Sequence, residues 1–362
     1  MTMTDPTLAR PERDRTAGGQ AADKAVRARP QVAAWLLATA AMVAAMVVIG
    51  GITRLTESGL SMVEWRPLMG WIPPLTEAEW ERVFALYRQT PEYRLHNAWM
   101  TLSDFETIFF WEYLHRVWGR LIGVVFALPF LAFLAAGRLE RALAPRLAAL
   151  FVLGAIQGGI GWWMVTSGLA DEPEVSPYRL ATHLSMAFLI LGVLLWTALD
   201  LLSPRPAGAA PILHRGGLRR GATAVLALVS LTVLAGAFVA GTDAGYAYNT
   251  FPLMDGSFVP EGYWEQGLAG MAEWVPAVQF NHRWLAVGTA LATLGFCHWA
   301  GRRAPDAARL PLRLLAVAVA AQVALGIAAL LLVVPVWLGA LHQAGAVALF
   351  STAVWTRFSL RG

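Results

Sequence analysis

Apolar residues run in long unbroken stretches along this chain, separated by shorter polar connections. The stretches cover approximately residues 32–52, 108–137, 147–169, 178–203, 221–241, 279–300, 311–333 and 335–357. A bilayer core about 30 Å thick takes roughly 20 mostly apolar residues per helix, and each stretch reaches that length. Helices satisfy their own backbone groups in lipid, so buried strands are untenable at these lengths. The pattern predicts an all-α integral membrane protein with eight transmembrane helices. Residues 1–31 hold Pro, Gly, acids and Arg without an apolar run, so they lack the core of a signal peptide and are expected as a disordered cytoplasmic tail. Residues 204–220 are expected as a cytoplasmic linker between a first unit, 32–203, and a second, 221–357.

The division into units rests on an internal repeat. The first stretch ends in Val48, Ile49, Gly50, Gly51, Ile52 and Thr53, and the fifth in Val239, Ala240, Gly241 and Thr242; each leads into a long outward loop. The second opens with Glu112, Tyr113, Leu114, His115 and Arg116, the sixth with Gln279, Phe280, Asn281, His282 and Arg283. Gln157 stands four residues before Gly161 in the third, as Gln322 does before Gly326 in the seventh; His183 and His342 occupy the fourth and eighth. Four agreements in order predict two tandem four-helix bundles. An even number of helices per unit gives both copies one orientation, so they are related by a pseudo-twofold axis along the membrane normal, unlike an inverted repeat. Gly158, Gly159 and Gly161 permit close helix approach, within one chain or between copies in a homo-oligomer.

Composition agrees with the pattern and adds orientation. The chain of 362 residues is 57% hydrophobic and 14% charged, which excludes a disordered or ordinary soluble protein. Its net charge of +4 would suggest nucleic acid if the cations were clustered for it, but they mark inter-helix connections instead. Arg10 to Arg29, Arg138, Arg141 and Arg146, Arg205 to Arg220, and Arg302 to Arg313 fall on one side, while 170–178 and 242–278 hold acids and no Lys or Arg. Both termini are therefore expected in the cytoplasm. The loop 53–107 faces outward, and Glu77 to Arg88 is expected as an amphipathic helix. Cys297 is the only cysteine, so neither an intrachain disulfide nor a multi-thiolate metal site can form.

Histidines carry the candidate chemistry. His214 and His298 lie near the cytoplasmic side without repeat partners, and His96 lies in the outward loop; solvated surface is the ordinary account of all three. His115, His183, His282 and His342 occur once on each even-numbered stretch, near the outer face. A lone intramembrane His often just bonds a neighbouring helix, but two matched pairs fit axial ligation of two haem irons; zinc wants three or four compact ligands. Arg116 and Arg283 follow the first His of each pair on the outer side, where haem propionates could accept their hydrogen bonds, as could those of Arg120 and Arg179; lipid phosphate is the ordinary alternative. Glu112 shares a helix face with His115, whereas the second copy has Gln279. A carboxylate inside a membrane helix is costly unless it works, so the first unit is read as the reactive site and the second as a cofactor site. Glu-x-x-His also occurs in di-iron bundles, which need a second such motif and two further Glu, absent here.

Together these segments resemble the haem A synthase family over roughly 32–357: GGITRLTESGLSMVEW at 50–65, FWEYLHRVWGRLIG at 110–123, IQGGIGWWMVTSGL at 156–169, ATHLSMAF at 181–188, AGTDAGYAYNTFPLMDG at 240–256, FNHRWLA at 280–286 and LHQAGA at 341–346. The resemblance implies oxidation of one methyl group of haem O to a formyl group by successive hydroxylations, giving haem A for cytochrome oxidase. It implies haem O facing His115 and His183 with Glu112 assisting, and a haem b cofactor ligated by His282 and His342. It also implies a bacterial inner-membrane location, with haem O synthase and oxidase assembly factors as partners. Some members carry a Cys pair in the first outward loop; this chain has none there and is similar to the mitochondrial and related bacterial branch. The histidine pattern by itself also permits a non-enzymatic di-haem electron carrier of cytochrome b type. A two-unit transporter would place charges near the bilayer midplane, and none is found there.

Overall fold

The computed structural model describes residues 10–64, 70–169, 174–203 and 216–361. Ten α-helices are described: α1 (Arg10–Leu55), α2 (Glu77–Tyr87), α3 (Leu102–Ala135), α4 (Leu143–Gly168), α5 (Pro177–Leu202), α6 (Gly216–Gly241), α7 (Gly267–Glu273), α8 (Val275–Gly301), α9 (Asp306–Leu331) and α10 (Val336–Ser359). No strand is present among the described residues beyond an isolated bridge between Met254 and Ser257. Seven helices are long and apolar enough to cross a membrane: α1 from Ala22, α3, α4, α5, α6, α9 and α10. The expected span 279–300 falls on α8, which has 27 residues but is not among the seven. Its outer turns carry Gln279, Asn281, His282 and Arg283, which dilute the apolar run.

Local signals set the helix boundaries. Thr76 and Glu79 form a capping box at α2, Thr101 and Asp104 another at α3, and Pro177 lies in the first turn of α5. α1 ends before Glu57, which has a φ of 51° and turns the chain into the outward loop. At its other end the helix runs from Arg10, so the tail expected to be disordered up to residue 31 is helical from there on. Ala21, Ala22, Ala25 and Ala28 favour helix over the later part of that segment, since Ala is the strongest helix former. Much of the linker expected at 204–220 lies outside the described residues, which resume at Gly216.

Packing is central on α1, α5, α6 and α10. α1 packs against α3, α5 and α10; α6 packs against α5, α8 and α10; α5 and α10 also touch each other. Leu36, Leu191, Leu194, Val229, Leu315 and Ala353 belong to one continuous buried core, each 1% exposed or less. The outward faces of α3, α4, α8 and α9 are apolar instead, with Leu128, Phe151, Leu291 and Val317 exposed. Contiguous apolar surface of this kind suits contact with hydrocarbon. A second small cluster covers the start of α3, where Phe84 and Tyr87 of α2 stack on Phe105 at 5.0 and 5.2 Å.

Candidate active site

Each of the four histidines packs against a glycine on the preceding long helix. A Cβ on Gly50 of α1 would lie 3.6 Å from His115 Nε2, and one on Gly161 of α4 would lie 3.0 Å from His183 Cε1. Gly236 of α6 and Gly326 of α9 repeat the arrangement at 3.1 Å from His282 Cε1 and 2.8 Å from His342 Cε1. At Gly161, Gly236 and Gly326 the absence of a side chain is what lets the imidazole approach the neighbouring backbone, whereas a Cβ at Gly50 would be in ordinary contact. His115 and His183 lie within electrostatic reach of each other, as do His282 and His342.

The contacts also set the register of the repeat at the ends of α1 and α6. Gly50 answers to Gly236, and Thr56-Glu57-Ser58-Gly59 answers to Thr242-Asp243-Ala244-Gly245, 186 positions on in each case. Glu57 and Asp243 share a left-handed φ of 51°, and the hydroxyls of Thr56 and Thr242 each donate to the carbonyl four residues back at 2.8 Å. Left-handed non-glycine residues are uncommon, and Asn and Asp are enriched among them.

Gln157 and Gln322 do more than mark the repeat. Gln157 Nε2 donates to the His183 carbonyl at 3.0 Å and lies 3.3 Å from His183 Nε2. Gln322 Nε2 donates to the His342 carbonyl at 3.0 Å and lies 3.3 Å from His342 Nδ1. Each amide therefore ties the helix bearing a histidine to the one before it. Repetition was the sequence signal for this pair; the contact itself depends on helix rotation.

Glu112 is 2% exposed. Its Oε2 accepts from Ser61 Oγ at 2.7 Å and Met62 N at 2.6 Å, and its Oε1 accepts from Arg116 Nη2 at 2.5 Å. Arg116 donates further to the carbonyls of Met62 at 2.8 Å and Glu64 at 3.1 Å. In the second copy Gln279 Nε2 donates to the carbonyls of Ala244 and Tyr248 at 2.8 and 3.2 Å. Arg283 donates to those of Tyr248, Pro252 and Leu253 at 3.0 to 3.2 Å and to Gln279 Oε1 at 3.3 Å. Both arginines thus fasten the outward loop over their site, a duty that spacing alone did not reveal. Arg120 donates to the Gly70 carbonyl at 3.1 Å and Arg179 to that of Trp163 at 2.6 Å. His96 and His298 are exposed, and His214 lies outside the described residues.

Several buried polar atoms at these pockets have no hydrogen-bond partner: His183 Nδ1, His282 Nδ1, Gln157 Oε1, Gln322 Oε1 and Arg283 Nε. Unpartnered buried groups are rare and call for a bound group. One imidazole in each pocket, His183 in the first and His282 in the second, thus keeps a ring nitrogen that no protein group takes, as a metal-ligating histidine can, so the residues present fit haem. Among the described residues no three His, Cys, Asp or Glu side chains gather as a metal cluster.

The family model for the cytochrome oxidase assembly protein, COX15-CtaA, matches residues 33–354. The chain is 54% identical to "Heme A synthase" of Rhodospirillum centenum over 334 residues, covering 91% of this chain and 88% of that protein. It is 49% identical to "Heme A synthase" of Paramagnetospirillum magneticum, covering 93% and 96%, and 51% identical to that of Granulibacter bethesdensis, covering 93% and 89%. A match of this extent, over the residues that build both histidine pockets, places the chain in the cytochrome oxidase assembly protein family, COX15-CtaA.

Proposed function

We propose that this chain is a haem A synthase, a multi-pass membrane oxidoreductase that converts a methyl group of haem O to the formyl group of haem A. The observation that carries the reading is a repeated pocket with one unrepeated group. Both copies have a histidine pair, glycine cradles, a glutamine tie and an arginine loop clasp, but only the first has a carboxylate, Glu112, where the second has Gln279.

Haem O is assigned to the first pocket, with His115 and His183 facing its iron and Glu112 as the catalytic carboxylate. Haem b is assigned to the second, ligated by His282 and His342. Bound there, haem b supplies one-electron transfer. Glu112 can hold or release a proton at Oε1 or Oε2, or stabilise positive charge developing on the substrate, while Gln279 can only hydrogen-bond. Arg116 and Arg283 are the candidates to hold propionates, and Arg283 Nε is a donor no protein acceptor occupies. Met62 and Glu64, clasped by Arg116, hold the outward loop at the first pocket.

The architecture that goes with this reading is eight membrane helices in two bundles, α1, α3, α4 and α5 against α6, α8, α9 and α10. Reciprocal packing supports it: the first helix of each bundle meets the last helix of the other, and the two last helices meet each other. Both termini are assigned to the cytoplasm of a bacterial cell, with both haem sites toward the outer face of the inner membrane. Haem O synthase and oxidase assembly factors are the expected partners.

Expression with a haem O synthase, followed by extraction and chromatography of haems, tests the assignment. Haem A formed only with this chain supports it; unchanged haem O with two bis-histidine spectra would favour the electron carrier.

A further inference from the structure

Gln343 follows His342 on α10, in the second unit, and reaches across into the first. Its Nε2 donates to the carbonyl of Val47 on α1 at 2.8 Å, joining residues 296 positions apart. An amide in a spanning helix is costly unless it is hydrogen-bonded, and this bond supplies a partner. Gly51, one turn after Val47, makes room for it: a Cβ there would collide with Gln343 Oε1 and lie 2.8 Å from its Cδ. The next residue back is Gly50, the glycine at His115. The connection therefore runs from the residue beside His342 to the α1 turn behind His115.

A twin of this interface shows that packing alone does not call for an amide here. In the register of the repeat, residues of α1 answer to those of α6 186 positions on, and residues of α10 to those of α5 159 positions back, as His342 does to His183. Bulky and small partners exchange places across that relation. A Cβ on Gly339 of α10 would lie 2.6 Å from Leu55 Cδ1 of α1, and one on Gly241 of α6 would lie 3.4 Å from Leu180 Cδ2 of α5. The two interfaces are thus built alike. At the positions of Gln343, Gly51 and Val47, however, the twin carries Leu184, Ala237 and Val233. Leu184 has no group to donate, so α5 meets α6 there through apolar side chains.

We propose that Gln343 is a positioning residue that couples the two histidine pockets: it fixes the α1 turn behind His115 against the α10 turn that bears His342, so that filling the second pocket tightens the first. The inference rests on both pockets holding haem, as read above. Ligation through His342 restrains α10, and Gln343 passes that restraint to Val47, Gly51 and Gly50. Linkage of this kind is reciprocal, so occupancy of the first pocket also favours the second. Leu184, beside His183, offers no matching tie to α6, and the coupling is carried on one side of the repeat alone.

The test uses the full chain in membranes from cells without a haem O synthase, titrated with haem O. Uptake is read by absorbance, and each bound haem by its electron paramagnetic spectrum. An interhelical hydrogen bond worth about 0.6 kcal/mol corresponds to about threefold in affinity. Gln343→Leu, which copies the twin, is expected to weaken haem O uptake by about that factor and to shift the first-pocket spectrum, with haem b kept in the second. Gly51→Ala displaces the same amide from the other side and is expected to do likewise. His282→Ala, which disables the second pocket without altering α10, separates coupling from fold. In the wild-type background it is expected to weaken haem O uptake, and in the Gln343→Leu background to add nothing further. Equal weakening in both backgrounds overturns the proposal, as does a Gln343→Leu chain with unchanged uptake and spectrum. If Gln343→Leu does not accumulate, the same comparison in the Gly51→Ala background decides. A wild-type chain that takes up no haem O overturns the functional reading, whereas one that takes it up equally with and without His282 overturns only the coupling.

Discussion

Glu112 and Arg116 stand one helical turn apart on α3 and meet at 2.5 Å with side chains 3% and 11% exposed. Removing one partner of a buried pair leaves an uncompensated charge, which costs about 3 kcal/mol or more. Glu112→Ala is expected to lose that much stability. Glu112→Gln is expected to lose less, on the order of 1–3 kcal/mol, because its one oxygen can still accept from arginine, as Gln279 does from Arg283 at 3.3 Å, while its NH2 would face the Met62 N–H. Thermal unfolding of the detergent-solubilised variants would show the difference. Equal losses would mean that charge, rather than hydrogen bonding, holds this loop.

The glycine cradles predict a graded series of haem losses. A methyl at Gly326 would sit 2.8 Å from His342 and force the ring to turn, whereas one at Gly50 would be in ordinary contact at 3.6 Å with His115. Gly326→Ala is expected to empty the second site, Gly161→Ala and Gly236→Ala to lower occupancy, and Gly50→Ala to leave it nearly unchanged. Haem content per chain, measured by absorbance after extraction, checks the order. A Gly326→Ala chain with full haem would show that the histidine is not held from that side.

Gln322 offers a milder perturbation of the same site. Gln322→Leu removes the donor to the His342 carbonyl, and interhelical hydrogen bonds in membranes are worth about 0.6 kcal/mol on average. Stability is therefore expected to fall by no more than about 1 kcal/mol. The freed imidazole should broaden the low-spin resonance of the second haem in electron paramagnetic spectra. An unchanged spectrum would remove Gln322 from the positioning of His342.

Glu92 makes stability depend on pH. With its carboxyl raised to about 8 from the ordinary 4.5, the folded chain keeps a proton that the unfolded chain releases above 4.5. Its contribution is complete below about 4.5, declines as pH rises, and is lost above about 8. Glu92→Gln should flatten that decline in unfolding measured from pH 5 to 9, with pH spacing of about one unit. A decline of the same slope in the variant would place its source elsewhere.

How much of this was legible in the sequence depends on the length scale of each signal. Seven of the spanning helices were, because twenty-residue apolar runs have few other structural outcomes, and so was the order of the four histidines along the repeat. α8 was less plain: Gln279, Asn281 and Arg283 serve the pocket at the expense of the apolar run. Arg116 and Arg283 were legible as outer-side cations, but their carbonyl partners lie 30 to 54 residues away in loops without periodicity. The facing of Gly50 with His115, 65 positions apart, depends on how α1 and α3 rotate against each other, which no local pattern records. Glu92 gave no signal at all, since a carboxylate in a polar loop reads as solvated until the folded chain leaves it only 7% exposed.

The central claim is that the first pocket oxidises haem O through Glu112 while the second only holds a haem. The most direct measurement is the haem content of membranes expressing a haem O synthase with the wild-type chain or with Glu112→Gln. The account predicts haem A from the wild type, and from Glu112→Gln unconverted haem O beside a normally loaded haem b. Full conversion by Glu112→Gln, with both haems bound, would contradict it.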